Sequence, residues 1–261
     1  MSPYIHRILP KGVLYSRKYP LTLHAFVRIH DEGFLIQKRH FSESKLFLSF
    51  VTKANGRMNG IARYSRKNSL DLGYKCRITW SARLEHQLGF IDHELIQPVS
   101  TAVVCGGDYQ RLLALQSMAG LLNRLLVEHH SYPQLYRAIE QFVRGLSSEY
   151  WLYDYIQFEK ILLEQLGFGL DVSVCAVTGR RDNLCYISPK SGRTVSKEAG
   201  ALYKDKLLPL PRVFHSVEGT DFKEALFVLG YFLEKHLLEG ILLPTRQAFT
   251  KDLMITAITP F

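Results

Sequence analysis

The stretch Lys45-Leu46-Phe47-Leu48-Ser49-Phe50-Val51-Thr52-Lys53-Ala54-Asn55-Gly56-Arg57-Met58-Asn59-Gly60-Ile61-Ala62-Arg63-Tyr64 reads as two strands joined by a tight turn. Lys45–Thr52 and Arg57–Tyr64 are rich in aromatic and β-branched residues, and Ala54-Asn55-Gly56 offers residues that take positive φ at little cost. Working outward, the same texture appears in Val27–Lys38, with a bulge or turn expected at Asp31-Glu32-Gly33. It returns in Lys75–Leu84 and Leu88–Leu95, with a weaker turn signal at His86-Gln87. Five short strands with mostly hairpin-length links predict a small barrel of the OB type.

Past Gln97-Pro98 the apolar period becomes helical. Asp108 is placed to cap a helix carrying Leu112, Leu115, Ala119, Leu122 and Leu126, and Ser131 precedes a second with Pro133 in its first turn. A third runs from about Leu152 to Leu166 and stops at Gly167. A loop-rich insert, residues 167–217, separates it from the last expected helix, Asp221–Leu238. The predicted class is α+β: an N-terminal extension (1–26), a five-stranded OB barrel (27–98), an α-helical domain with an irregular insert (99–250) and a tail (251–261).

Residues 1–98 hold 16 Lys/Arg against 7 Asp/Glu, while residues 99–261 hold 17 against 17, so the whole net charge of +9 belongs to the barrel half. A one-sided basic surface points to a phosphate backbone as partner. No apolar run approaches the roughly 18 residues of a membrane span, which predicts a soluble protein without a membrane partner. The first 26 residues contain four basic and no acidic residues but no secretory pattern. With no export signal, Cys76, Cys105, Cys175 and Cys185 read as free thiols of a reducing compartment, hence a cytoplasmic location.

The phosphate-cradling G-x-x-x-x-G-K-[ST], H-E-x-x-H and G-x-S-x-G are absent, which removes the commoner hydrolases. His129-His130 point about 100° apart on a helix and make a poor metal pair, and Cys175 and Cys185 lack the four paired ligands of a structural zinc. Glu159 and Glu164, five residues apart, read as solvated surface. No catalytic residue, metal or cofactor is expected.

The candidate nucleic-acid contacts are Lys38 and Arg39 at the end of the first strand, Lys53 and Arg57 around the turn, and Arg63, Tyr64, Arg66 and Lys67 beyond it. Cations track phosphates and an interleaved ring stacks on bases, the pairing that a single-strand groove requires. An RNA-binding OB module is the main alternative.

Several segments resemble one family. Asp31–Ile36, Ser42–Leu48, Thr52–Arg57, Gly60–Arg63, Leu121–Leu126, Pro133–Tyr136, Phe158–Asp171, Cys175–Gly179 and Ser188–Gly192 together look like the RecO recombination-repair proteins of bacteria, over roughly residues 27–250. The resemblance implies an OB barrel followed by a helical domain. It also implies a non-enzymatic mediator, nucleoid-associated in the cytoplasm, that binds single- and double-stranded DNA and anneals strands. With RecR and single-stranded DNA-binding protein, such a mediator helps load RecA. It places DNA backbone at Arg57, Arg63 and Arg66-Lys67, and the acidic tail of the single-strand binding protein on the helical domain, with Arg124 and Arg246 as candidates. Two departures stand out: Thr178 sits where a second zinc cysteine follows Cys175 in some members, and residues 1–26 precede the family's usual start.

Overall fold

The computed structural model describes residues 27–64, 70–84, 87–99, 108–241 and 243–256. Five strands come first: β1 (Val27–Ser42), β2 (Lys45–Thr52), β3 (Gly56–Arg63), β4 (Lys75–Ala82) and β5 (Gly89–Gln97). They close in the order β1-β2-β3-β5-β4, antiparallel except for the β3–β5 pair. Alternate side chains, among them Leu35, Leu48, Phe50, Met58, Ile78, Trp80 and Ile91, fill the barrel.

β1 departs from expectation. There is no turn at Asp31-Glu32-Gly33; the strand runs unbroken for 16 residues, its first half paired with β4 and its second with β2. Its bulge falls between Leu35 and Gln37 instead. Asp31, read as a turn former, serves a different turn: its carboxylate accepts the backbone N–H groups of Ala54 and Asn55, both at 3.1 Å, and the Asn55 side chain at 2.7 Å. Gly56 there has φ +66°, and a Cβ would collide with the carbonyl of His130.

The helices are α1 (Tyr109–Leu125), α2 (Pro133–Gly145), α3 (Trp151–Gln165), the short α4 (Lys197–Gly200), α5 (Phe222–His236) and α6 (Pro244–Thr256). Asp108 caps α1 through the Arg111 N–H, and α3 ends at Gly167 with φ +87°. The insert is more regular than its composition suggests, for β6 (Leu184–Ile187), β7 (Thr194–Ser196) and β8 (Leu208–Pro209) form a small sheet.

Helix α6 went unforeseen, because what fixes it is a buried charge. Arg246, 2% exposed, donates from Nε and Nη2 to the two carboxylate oxygens of Glu159, each at 2.8 Å, and from Nη2 to the Leu226 carbonyl at 2.9 Å. The Tyr155 hydroxyl donates to the same carboxylate at 2.6 Å and meets Ser117 at 2.7 Å. One fully bonded ion pair thus ties α1, α3, α5 and α6 together. Glu159 is therefore not solvated surface; only Glu164 is exposed.

The barrel and the helices share a core. Phe34, Ile36 and Val51 point outward from β1 and β2 into the cluster built by α1, α2, α3 and α5. Tyr136 of α2 lies 5.4 Å from Phe34, ring to ring, and Asn123 of α1 donates to the Ile36 carbonyl at 2.7 Å. Cutting the barrel free would expose those side chains to water.

Candidate nucleic-acid interface

The turn at Ala54–Gly56 fixes the β2–β3 register, with Thr52 opposite Gly56, Val51 opposite Arg57, Phe47 opposite Ile61 and Lys45 opposite Arg63. Leu46, Leu48 and Phe50 point into the barrel, so Lys45, Phe47, Arg57, Ile61 and Arg63 point out. Six residues separate Arg57 from Arg63, about 20 Å of strand. The predicted cations therefore fall at two different places.

At the bundle end each cation is engaged. Arg57 donates to the Asn123 carbonyl at 2.8 Å and pairs with Glu128 at 3.3 Å, while Asn59 donates to the same Glu128 oxygen at 2.6 Å. The His129 N–H meets the Arg57 carbonyl at 3.0 Å. Arg57 is thus a staple between barrel and bundle, its guanidinium already engaged by Asn123 and Glu128. Lys53 is exposed but lies 3.4 Å from Glu32. Lys75 is buried between Glu32 (3.3 Å) and Glu140 (2.9 Å), and its hydrogen bond holds the Glu140 carboxyl below the usual range against the opposing effect of burial. Away from this end, beside Arg39 on β1, Lys38 is likewise held, by Asp71 at 3.0 Å and by the Leu70 carbonyl.

At the far end Arg39, Lys45 and Arg63 meet no carboxylate among the described residues. Arg39 lies 4.4 Å over the Phe47 ring, Lys45 lies 6.0 Å from the Phe90 ring, and Lys45 and Arg63 face each other across β2 and β3. Tyr64 is 43% exposed beside His40, their rings 5.4 Å apart. Arg66 and Lys67 lie outside the described residues.

Register continues this end into a row around the barrel wall: Arg28 opposite Ser81, Ser81 opposite Phe90, Phe90 opposite Ile61, Ile61 opposite Phe47, Phe47 opposite Arg39. The row contains two guanidinium groups, two phenyl rings and no carboxylate. Arg28, Lys45, Phe47 and Phe90 were missed from the sequence. Counting back from the turn gives the facing cations Lys45 and Arg63, but the parallel β3–β5 contact that brings in Phe90 leaves no local signal.

Of the two arginines considered for an acidic tail, Arg124 is exposed in the last turn of α1, whereas Arg246 is the buried partner of Glu159 and has no free edge. Asp71 and Glu32 likewise occupy Lys38 and Lys53. In the insert, the Cys175 thiol is opposed by burial, yet hydrogen bonds from the Thr178 hydroxyl and the Ser196 N–H draw it down to about 6. Thr178, where the zinc pattern would have a cysteine, thus turns its hydroxyl onto the remaining sulfur.

No helix among the described residues is long and apolar enough to cross a membrane. Residues 106–242 match the family described as Recombination protein O C terminal. Similar proteins include the DNA repair protein RecO of Anaplasma marginale (strain St. Maries), 35% identical over 80% of this chain and 91% of the relative. Those of Wolbachia pipientis subsp. Culex pipiens (37%, over 81% and 92%) and Ehrlichia chaffeensis (35%, over 86% and 98%) are similar over comparable spans. With an OB-type barrel fused to a helical bundle, and with likeness across both, the chain belongs to the RecO family of DNA repair proteins.

Proposed function

We propose that the chain is a non-enzymatic recombination mediator that captures single- and double-stranded DNA on the far end of its barrel. The observation that carries this reading is the Lys45–Arg63 pair, two cations in register across adjacent strands, with Arg39 nearby and no acid in contact among the described residues. Like charges placed opposite each other destabilise a sheet, and a phosphate backbone laid across them relieves the repulsion. Binding of this kind is indifferent to sequence and falls steeply with salt. Neutralising two strands at once while leaving bases accessible would promote annealing.

The helical region is the proposed dock for proteins. Arg124 suits the acidic tail of single-stranded DNA-binding protein, its charge placed at a helix C-terminus where cations are favoured. RecR is the expected second partner and RecA loading the outcome, in the cytoplasm at the nucleoid. The extension 1–26 and the pair Arg66-Lys67 add cations in sequence to the same half of the chain.

The test is annealing of complementary oligonucleotides coated with single-strand binding protein, comparing the full chain with Arg39→Glu/Arg63→Glu. Both positions are exposed, so the variant is expected to fold. Annealing by the wild type that is lost in the variant supports the reading. A folded wild type that neither binds nor anneals DNA near physiological salt overturns it.

A further inference from the structure

We infer that the outward row centred on Phe90 and Phe47 is a stacking surface for unpaired nucleobases, so that the far end of the barrel takes single-stranded nucleic acid through its bases as well as its phosphates. The inference rests on the reading of that end as a DNA-capturing surface. It adds what phosphate contact cannot supply: a preference for strands whose bases are free.

The argument begins with a violated pattern. On this barrel the inward positions are mostly apolar, and most outward positions of β1, β4 and β5 are polar: Arg28, His30, Arg77, Thr79, Ser81, Asp92 and Glu94; exposed Phe41, Leu95 and Ile96 lie near strand ends. Phe90 breaks that rule with 60% of its surface exposed, on a strand whose next outward residue is an aspartate. Phe90, the second residue of β5, thus holds a phenyl ring largely in water, where its burial contributes little to stability. Phe47 stands two strands away in the same row, with Ile61, 7% exposed, flat between them.

The surroundings say what kind of ligand the rings suit. A purely apolar protein contact needs no cations, yet Lys45 lies beside Phe90 and the Arg39 guanidinium lies over Phe47. A nucleotide has both a π face and a negative charge, and this row has a ring and a cation for each of two nucleotides. The guanidinium plane on Phe47 extends that platform, since bases stack on arginine as they do on rings. Phe90 and Phe47 are two strand spacings apart, about 10 Å. That exceeds the roughly 4.5–7 Å of a stacked pair, so the rings receive separate bases and do not sandwich one. Tyr64, exposed just beyond β3, lies against His40 at the barrel's end and is not part of this row. In a duplex the bases are already stacked on one another, and only phosphates reach the wall.

The experiment uses the full chain and three ligands of equal phosphate number: oligothymidine of about 16 nucleotides, the upper site size of an OB barrel, an abasic strand, and a blunt duplex. Wild type is compared with Phe47→Leu/Phe90→Leu, which keeps apolar bulk and removes the rings. Phe90→Trp, which keeps an aromatic face, provides the rescue. Wild type is expected to bind oligothymidine at least about tenfold more tightly than the abasic strand. The leucine variant should lose that preference while its affinity for the abasic strand and the duplex stays within about twofold, and the tryptophan variant should retain it. A folded leucine variant that matches wild type on all three ligands, or weakens equally on all three, overturns the stacking surface and leaves electrostatic capture standing. A wild type that binds none of the three overturns the capture reading and the stacking surface together.

Discussion

At the bundle end of the barrel Arg57, Lys53 and Lys75 each reach a carboxylate, while at the far end Arg39, Lys45 and Arg63 reach none among the described residues. The two sets are of the same residue types and share β3, where Arg57 and Arg63 are six residues apart. What separates them is the supply of acids: the helical half brings Glu128 and Glu140 to one end, where β1 adds Glu32. A cation with a fixed, partly buried acid partner fastens structure, and displacing that partner costs more than an exposed phosphate returns. A cation left opposite another cation is available. Basic composition therefore marks the half of the chain proposed to capture DNA, and the pairing pattern separates the cations already engaged from those left open for that role.

The comparison breaks most visibly at Lys75. Replacing it with Met leaves Glu32 and Glu140 facing each other in a half-buried site, and the expected loss is about 3–5 kcal/mol of stability. Urea denaturation would report it, with strand affinity unchanged under conditions where the variant is folded. At the opposite end, Arg39→Glu/Arg63→Glu should cost roughly 100-fold in affinity for oligothymidine, with stability changed by less than about 0.5 kcal/mol. The slope of log affinity against log salt should become shallower by about 1.5 to 2, corresponding to two lost phosphate contacts. If the Lys75 variant lost affinity and the double reversal lost stability, the assignment of the two ends would be inverted.

Much of this was legible before any coordinates. The alternation in Lys45–Thr52 and the turn at Gly56 set the hairpin register, and the helical period after Pro98 marked α1, α2, α3 and α5. The bulge or turn expected at Asp31–Gly33 is not there, because Asp31 bonds a loop more than 20 residues away, a partner that local pattern does not reveal. Helix α6 was missed because its anchor is Arg246 on Glu159, a charged pair that looks solvated in sequence and is buried in the fold. The candidate interface was half legible: the open cations Arg39 and Arg63 stand out in the sequence, but that Arg57 is engaged by Glu128 does not, because nothing near it in sequence announces that partner. Phe90 was overlooked because its place in the row depends on the parallel β3–β5 contact.

Two finer measurements sharpen the contrast. Arg57→Ala should destabilise by about 1–2 kcal/mol, through the lost bonds to Asn123 and Glu128, and change oligothymidine affinity by less than about threefold. A large loss of affinity in a variant of normal stability would return Arg57 to the DNA surface.

The smallest effect is a pH dependence confined to the bundle end. The Lys75 hydrogen bond holds the Glu140 carboxyl below its ordinary value of 4.5, with burial opposing and the charges of Lys75, Arg144 and Lys53 assisting. The unfolded chain therefore takes up the proton first as pH falls. The stability this carboxylate contributes is complete above about 4.5 and is lost as pH drops through its lower folded value. His93, lowered by burial, adds a background loss of the same sign below about 6.5. Glu140→Gln keeps that background and removes the carboxylate's share, so it should cost about 1 kcal/mol at neutral pH and show a shallower decline toward pH 4 than wild type. Parallel acid declines in the two proteins would mean that Glu140 contributes nothing to joining barrel and bundle, and the fastening at this end would then rest on Arg57 and the apolar contacts of Phe34, Ile36 and Val51.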